Sequence, residues 1–278
     1  MIPIAKLKDN LQFNKDLGGL IEVMKMAATL QFGQFRSSGG PLTGFSTPLE
    51  AVHQIVGSLQ IKHMFLNVDE SLPSVFILIS SNEGFLGDLN FLLVNKLMEV
   101  RRTSDEILVL GEQGAEYLEE LKVHFSSRAL PSDKLEAKEI ESLRDEVLTR
   151  YKKREIGRVN VVHARFINIG VQQIESEVLL PLPESSTVNE PPKGLIIEPD
   201  LDSVLNCWVK LWLGFRFHQI FWSSRLAEYA ARIMHLESSL QELKRLNKRL
   251  ELEYFKYLHG LSDTSIREIC ASRLTGLH

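Results

Sequence analysis

Cysteine is scarce in this chain of 278 residues: there are two, Cys207 and Cys270. Both fall on one long helical stretch. A straight helix cannot fold back to join them, so no internal disulfide is expected and a reducing compartment fits. Proline is missing between Ser203 and Leu274, and glycine is limited there to Gly214 and Gly260. No apolar run approaches the roughly 20 residues that span a bilayer, and the N-terminus lacks the apolar core of a signal peptide. The most apolar helical stretch, Cys207 to Trp222, carries Lys210, Arg216 and His218, which suits packing on a globule rather than in lipid. A net charge of −4 excludes a global basic field, and with it bulk nucleic-acid binding. Hydrophobic residues at 44% and charged residues at 24% exclude a disordered chain.

What the proline-free segment contains is one helix. At about 1.5 Å per residue it would run to roughly 100 Å, more than a domain of this size can cover, so it needs a partner. Leu226, Ile233, Leu240, Asn247, Tyr254 and Leu261 recur every seven residues, with Tyr229, Leu236, Leu243, Leu250 and Tyr257 three further on. That repeat is the signature of a left-handed coiled coil, in which Asn247 fixes register at some cost in stability. Near the N-terminus, Leu7, Leu11, Leu17, Ile21, Met24, Ala28, Phe32 and Phe35 form a second helical stripe. Gly18-Gly19 weakens that helix, and Ser37-Ser38-Gly39-Gly40-Pro41 stops or bends it. Another helix is expected from Ser46 to Gln60, with Pro48 in its first turn.

Between the two ends the pattern changes to alternating strands and helices. Strands are expected at 75–79, 107–110, 123–125, 158–166 and 174–180, with a last short piece at 195–197. Helices are expected at 88–102, 113–121 and 132–153, and residues 183–194 read as a surface loop. The fold class is therefore α/β: N- and C-terminal helices forming an antiparallel coiled coil, with an inserted, partly parallel, Rossmann-like domain. The expected divisions are residues 1–60 with a break near 37–45, then 74–200, then 203–278.

No catalytic constellation accompanies this layout. The turn Ser80 to Gly87 matches neither dinucleotide nor P-loop spacing, and Glu83 would repel a phosphate over the helix start. Gly111 and Gly114 read as geometric glycines of a strand-to-helix connection. The eight histidines include no pair four apart and no cysteine at ligand spacing. No G-x-S-x-G element occurs, and Glu119-Glu120 and Glu139/Glu141 fall on polar helix faces. No catalytic, cofactor or metal site is expected.

Several stretches carry a family resemblance. Met24-Lys25-Met26-Ala27-Ala28, Ser80 to Asn90, Glu228-Tyr229-Ala230-Ala231-Arg232-Ile233-Met234, Leu250 to Lys256 and Glu268-Ile269 follow in order along the chain. Together they resemble the gamma subunit of the F-type rotary ATP synthase, in a divergent or alternative form. The resemblance implies a rotor shaft without an active site. Its coil would sit inside a hexamer of alpha and beta chains, catalysis residing on beta, and its globular part would touch an epsilon subunit and a ring of c subunits. Membrane association would be indirect, at the cytoplasmic face of the inner (plasma) membrane, and the translocated ion a proton or sodium. The implied partner and shaft contacts are Met24, Lys25, Met26, Glu228, Arg232, Asn247, Tyr254, Lys256, Leu258, His259, Asp263 and Glu268. Leu258-His259 and Ser262 to Ser265 depart from the family pattern, with Asp263 and Ser265 left to hydrogen-bond. Asn10, Gln12 and Leu20 stand where the family is usually basic. The alternative reading is a non-rotary coiled-coil adaptor derived from the same fold.

Overall fold

The apolar run after Pro73 becomes the centre of a sheet because it has no polar face to offer water. In the computed structural model, which describes residues 4–37, 46–58, 63–67, 69–131, 137–182 and 197–275, this is strand β1 (Ser74–Ile79). Two helices precede it, α1 (Ile4–Ser37) and α2 (Ser46–Ser58). After it come α3 (Leu89–Val100), β2 (Glu106–Leu110), α4 (Glu112–Glu120), β3 (Ser126–Arg128) and α5 (Ala137–Lys152). The chain then forms the hairpin β4 (Arg158–Asn168) and β5 (Val171–Leu180), and ends in α6 (Leu201–Thr275). The chain divides into two compact units: Met1–Thr29 with Ile233–His278, and Leu30–Arg232.

The second unit holds a five-stranded sheet in the order β3-β2-β1-β4-β5, parallel except for the β4–β5 pair. The alternation of side chains along β1 divides its burial between the two faces. Val75, Ile77 and Ile79 face one cluster with Val161, Leu143 and the α6 residues Val209, Leu213, Phe217 and Phe221. Phe76 and Leu78 face the other, with Leu93, Leu97, Val109 and Leu118. Each such fully buried side chain contributes about 1.5–3 kcal/mol relative to exposure. The stretch Cys207 to Trp222 thus packs on the sheet, as its composition required, with Trp208 and Trp212 in the same cluster.

One strand differs from expectation. Val123 to Phe125 is not a strand; the third strand lies three residues further on, at Ser126–Arg128. The reason is how α4 ends. The Val123 N–H donates to Leu118 O at 3.0 Å and the Lys122 N–H to Glu119 O at 2.9 Å, with Lys122 at φ 55°. This is a Schellman closure with lysine in the left-handed position that glycine usually takes, and it draws Val123 into the helix end. The hairpin is also longer than expected, because β5 begins at Val171 rather than Ile174. The expected break at residues 38–45, the surface loop at 183–194 and the start of the 132–153 helix lie outside the described residues, as do residues 195 and 196; Ile197 is not in a strand.

In the first unit, the buried and half-buried positions of α1 include Leu7, Leu11, Asn14, Gly18, Ile21, Lys25 and Ala28, alternately four and three apart, with Leu17 and Met24 beside them. On α6 they include Ile233, Leu236, Leu240, Leu243, Asn247, Leu250, Tyr254 and Tyr257, members of the expected heptad, whose last member, Leu261, is instead exposed. Two seven-residue repeats facing each other make a coiled-coil seam. After Tyr257 every described side chain of α6 is exposed.

Candidate functional site

Three contacts set the direction and register of the helix pair. The Asn14 Nδ2–H donates to Asn247 Oδ1 at 2.9 Å. A Cβ at Gly18 would stand 3.4 Å from Leu243 Cδ2, so this glycine is the hole that receives a leucine knob. Lys25 Nζ donates to Glu237 Oε2 at 2.9 Å. Numbers rise along α1 as they fall along α6, so the pair is antiparallel. The hydrogen bond to Glu237 pushes the Lys25 ammonium pKa up, and the same bond holds the Glu237 carboxyl below the usual carboxylate range.

In the second unit, α6 is fastened to the C-terminal rim of the sheet by a buried ionic cluster. Arg225 Nη1 donates to Glu228 Oε2 at 2.8 Å, and Arg232 Nη2 donates to Glu228 Oε1 at 2.9 Å. Arg225 also donates to Pro131 O at 3.0 Å, and Arg232 to Gly84 O at 3.4 Å, with Glu83 Oε2 3.2 Å from Arg232 Nη2. Both oxygens of Glu228 are satisfied, which makes its burial tolerable. The turn that supplies Gly84 is itself held by Asn90, whose Nδ2–H donates to Ser81 Oγ at 2.8 Å.

This cluster lies at the carboxyl ends of β1 and β4, where the strand order reverses. Open α/β sheets bind ligands in that crevice. Here Ser224, Arg225 and Glu228 line it beside Ser80, Ser81 and Asn90, and the space left is about 20 Å³, room for one water. The glycines of the following turn are equally occupied. A Cβ on Gly111 would meet Ser80 O at 2.7 Å, and one on Gly114 would meet Ser80 Oγ at 2.5 Å. Their role is to admit Ser80, whose hydroxyl donates to Leu110 O and accepts from Gly114 N.

The structure brings some of the sequence-derived site residues together and leaves others apart. Lys25 and Asn247 meet partners across the seam, and Met24 and Tyr254 are half-buried on it. Met26, Lys256, Leu258, His259, Asp263 and Glu268 are exposed, free of the seam. Glu228 and Arg232 stand apart from both groups: each is 6% exposed and engaged inside its own unit, so they fasten the helix rather than present a surface. Among the described residues no group of His, Cys, Asp or Glu is placed to hold a metal.

Comparison with known proteins fits this arrangement. A family model described as ATP synthase matches residues 4–257. The ATP synthase gamma chain of Mycoplasmopsis pulmonis is 22% identical over 276 residues, covering 98% of this chain and 99% of its own. That of Clostridium beijerinckii is 25% identical over 214 residues, 74% of each chain. The chain belongs to the ATP synthase gamma family. Its fold is similar to a chain of the Euglena gracilis mitochondrial ATP synthase (OSCP/F1/c-ring, rotational state 3), with a TM-score of 0.72 at 17% identity, covering 98% of this chain and 94% of that one. A chain of the Euglena rotor in rotational state 1 gives a TM-score of 0.68 at 18% identity, covering 93% and 98%.

Four residues that matter to this gamma-family fold were absent from the sequence-derived set: Asn14, Gly18, Arg225 and Glu237. A seven-residue count from Leu7 through Asn14 to Ile21 would have placed Asn14 in the seam. No sequence signal marks Glu237 as the partner of Lys25, since that pairing depends on which way the helices run.

Proposed function

We propose that this chain is the central-stalk shaft of an F-type ATP synthase, coupling rotation of a membrane ring to conformational change in catalytic beta chains while carrying no catalytic site itself. The observation that carries this reading is the antiparallel α1–α6 pair of a gamma-family chain. Its seam is closed, yet Phe13, Leu20, Val23 and Met26 on one helix and Leu246, Leu252, Phe255 and Leu261 on the other remain exposed. An apolar surface of that length on two helices needs a surrounding partner. A hexamer of alpha and beta chains supplies one. The remaining partners on this reading are an epsilon subunit and the c ring, at the cytoplasmic face of the membrane, with a proton or sodium as the coupled ion. Among the described residues no helix is long and apolar enough to cross a membrane, which suits association through the complex.

The shaft contributes coupling rather than chemistry. A rod whose sides differ in chemistry gives each surrounding beta chain a different contact, and so favours a different nucleotide state in each. The test is co-expression with the cognate alpha and beta chains, purification of the complex and measurement of its ATPase rate. Recovery of a stoichiometric, active complex supports the shaft reading; alpha and beta purifying without this chain would overturn it.

A further inference from the structure

We infer that Gly18-Gly19 is a joint built into α1, at which this helix opens locally while α6 runs past it unbroken. A glycine inside a helix favours opening roughly fivefold relative to alanine, because it has the most backbone freedom to regain and leaves the backbone open to water. Two in succession act together at one level of a helix of 34 residues. A helical glycine is usually explained by a positive φ or by a close neighbour. Neither of these two has a positive φ. Gly18 has the neighbour: a Cβ there would stand 3.4 Å from Leu243 Cδ2. Gly19 has nothing within 4 Å. Packing accounts for the first glycine and not for the second, where alanine would fit without steric cost.

The surroundings fix where the joint acts. Asn14 bonds to Asn247 on one side of the glycine pair and Lys25 to Glu237 on the other, each at 2.9 Å. The facing stretch of α6, residues 233–259, contains neither glycine nor proline, so it has no matching weak point. Gly33 and Gly260 also have nothing within 4 Å of a Cβ. Gly33 stands in the last turns of α1 and Gly260 beyond Tyr257, so neither interrupts the paired stretch of the first unit. Opening at Gly18-Gly19 lets α1 bend or untwist between two cross-seam fasteners while α6 keeps the unit continuous. Its use as a joint in a turning shaft rests on the central-stalk reading; the opening itself does not.

The test is native-state hydrogen exchange of the full chain, wild type against Gly19→Ala, with rates corrected for intrinsic exchange. In the wild type, amides 19–23, whose helical bonds span the glycine pair, should exchange faster than amides 11–15 and 25–29. Gly19→Ala should raise the protection of amides 19–23 about fivefold and leave 11–15, 25–29 and the facing amides 240–247 of α6 as they were. A gain spread evenly over both helices means that the pair opens only as a whole, and overturns the inference; so does no gain at all. Should the variant not fold, the wild-type profile decides alone, and even protection from 11 to 29 overturns the joint. The central-stalk reading fails by a different result, alpha and beta chains purifying without this chain.

Discussion

Asn14 on α1 and Asn247 on α6 join their side-chain amides in a single 2.9 Å hydrogen bond inside the helix seam, between residues that are otherwise mostly apolar. Asn14 is only 9% exposed, so its amide has little water to fall back on. In any other register each amide faces a leucine, an isoleucine or a tyrosine. The pair therefore selects one alignment out of those a heptad repeat would allow.

Replacing Asn247 with Leu alone strands the Asn14 amide and is expected to lower stability by about 1–3 kcal/mol. Replacing both with Leu restores an apolar seam, and the double variant is expected to melt at or above the wild-type temperature while losing its unique register. Thermal melts give the first comparison. Disulfide trapping between cysteines placed at matched and heptad-shifted positions gives the second: the double variant should trap both, the wild type one.

Two adjacent glycines behave oppositely. Nothing lies within 4 Å of a Cβ at Gly19, so Gly19→Ala should stabilise the helix pair by up to about 1 kcal/mol through propensity. At Gly18 the leucine knob of Leu243 already fills the hole. Gly18→Leu should cost about 1–3 kcal/mol from overpacking, measured by chemical denaturation of the same chain.

Glu228 serves two arginines at once within the second unit. Glu228→Ala leaves both guanidinium groups buried without their counterion, and a loss of about 3–5 kcal/mol is expected. Glu83→Ala removes only the exposed end of the cluster and should fall within about 0.5 kcal/mol of wild type. Denaturant melts that rank the two alike would remove the ionic cluster as the fastener of α6.

Acid should loosen the helix pair through Glu237. Its folded pKa lies below the ordinary value of 4.5, so its contribution is complete above the unfolded value and disappears as pH falls through the folded one. Lys25 has the opposite sign: its pKa is raised above 10.5, and its contribution is complete below the unfolded value and disappears as pH rises through the folded one. Melting curves of wild type and Glu237→Gln should therefore differ near pH 7 and converge in strong acid.

The legible parts of this protein were those whose pattern is local. Periodicity along residues 203–274 is enough to predict a helix and its seam, because the same face recurs every seven residues whatever covers it. The apolar runs that became β1, β2 and β4 were equally visible, since a strand buried on both faces has no polar residue to hide. Boundaries were less so, as Val123 shows: whether it pairs in a sheet or closes a helix depends on one backbone dihedral at Lys122.

What only the tertiary structure decided is which groups meet. Glu228 and Arg232 entered as partner contacts through the family resemblance; the closeness of Arg225 and the turn at Gly84 shows what their burial rests on. Asn14 looked like one polar residue among several until the antiparallel direction of α1 and α6 set it against Asn247. A sequence by itself determines periodicity and composition, which act over a few residues. The pairing of charges and amides tens or hundreds of positions apart follows from geometry that no local pattern contains.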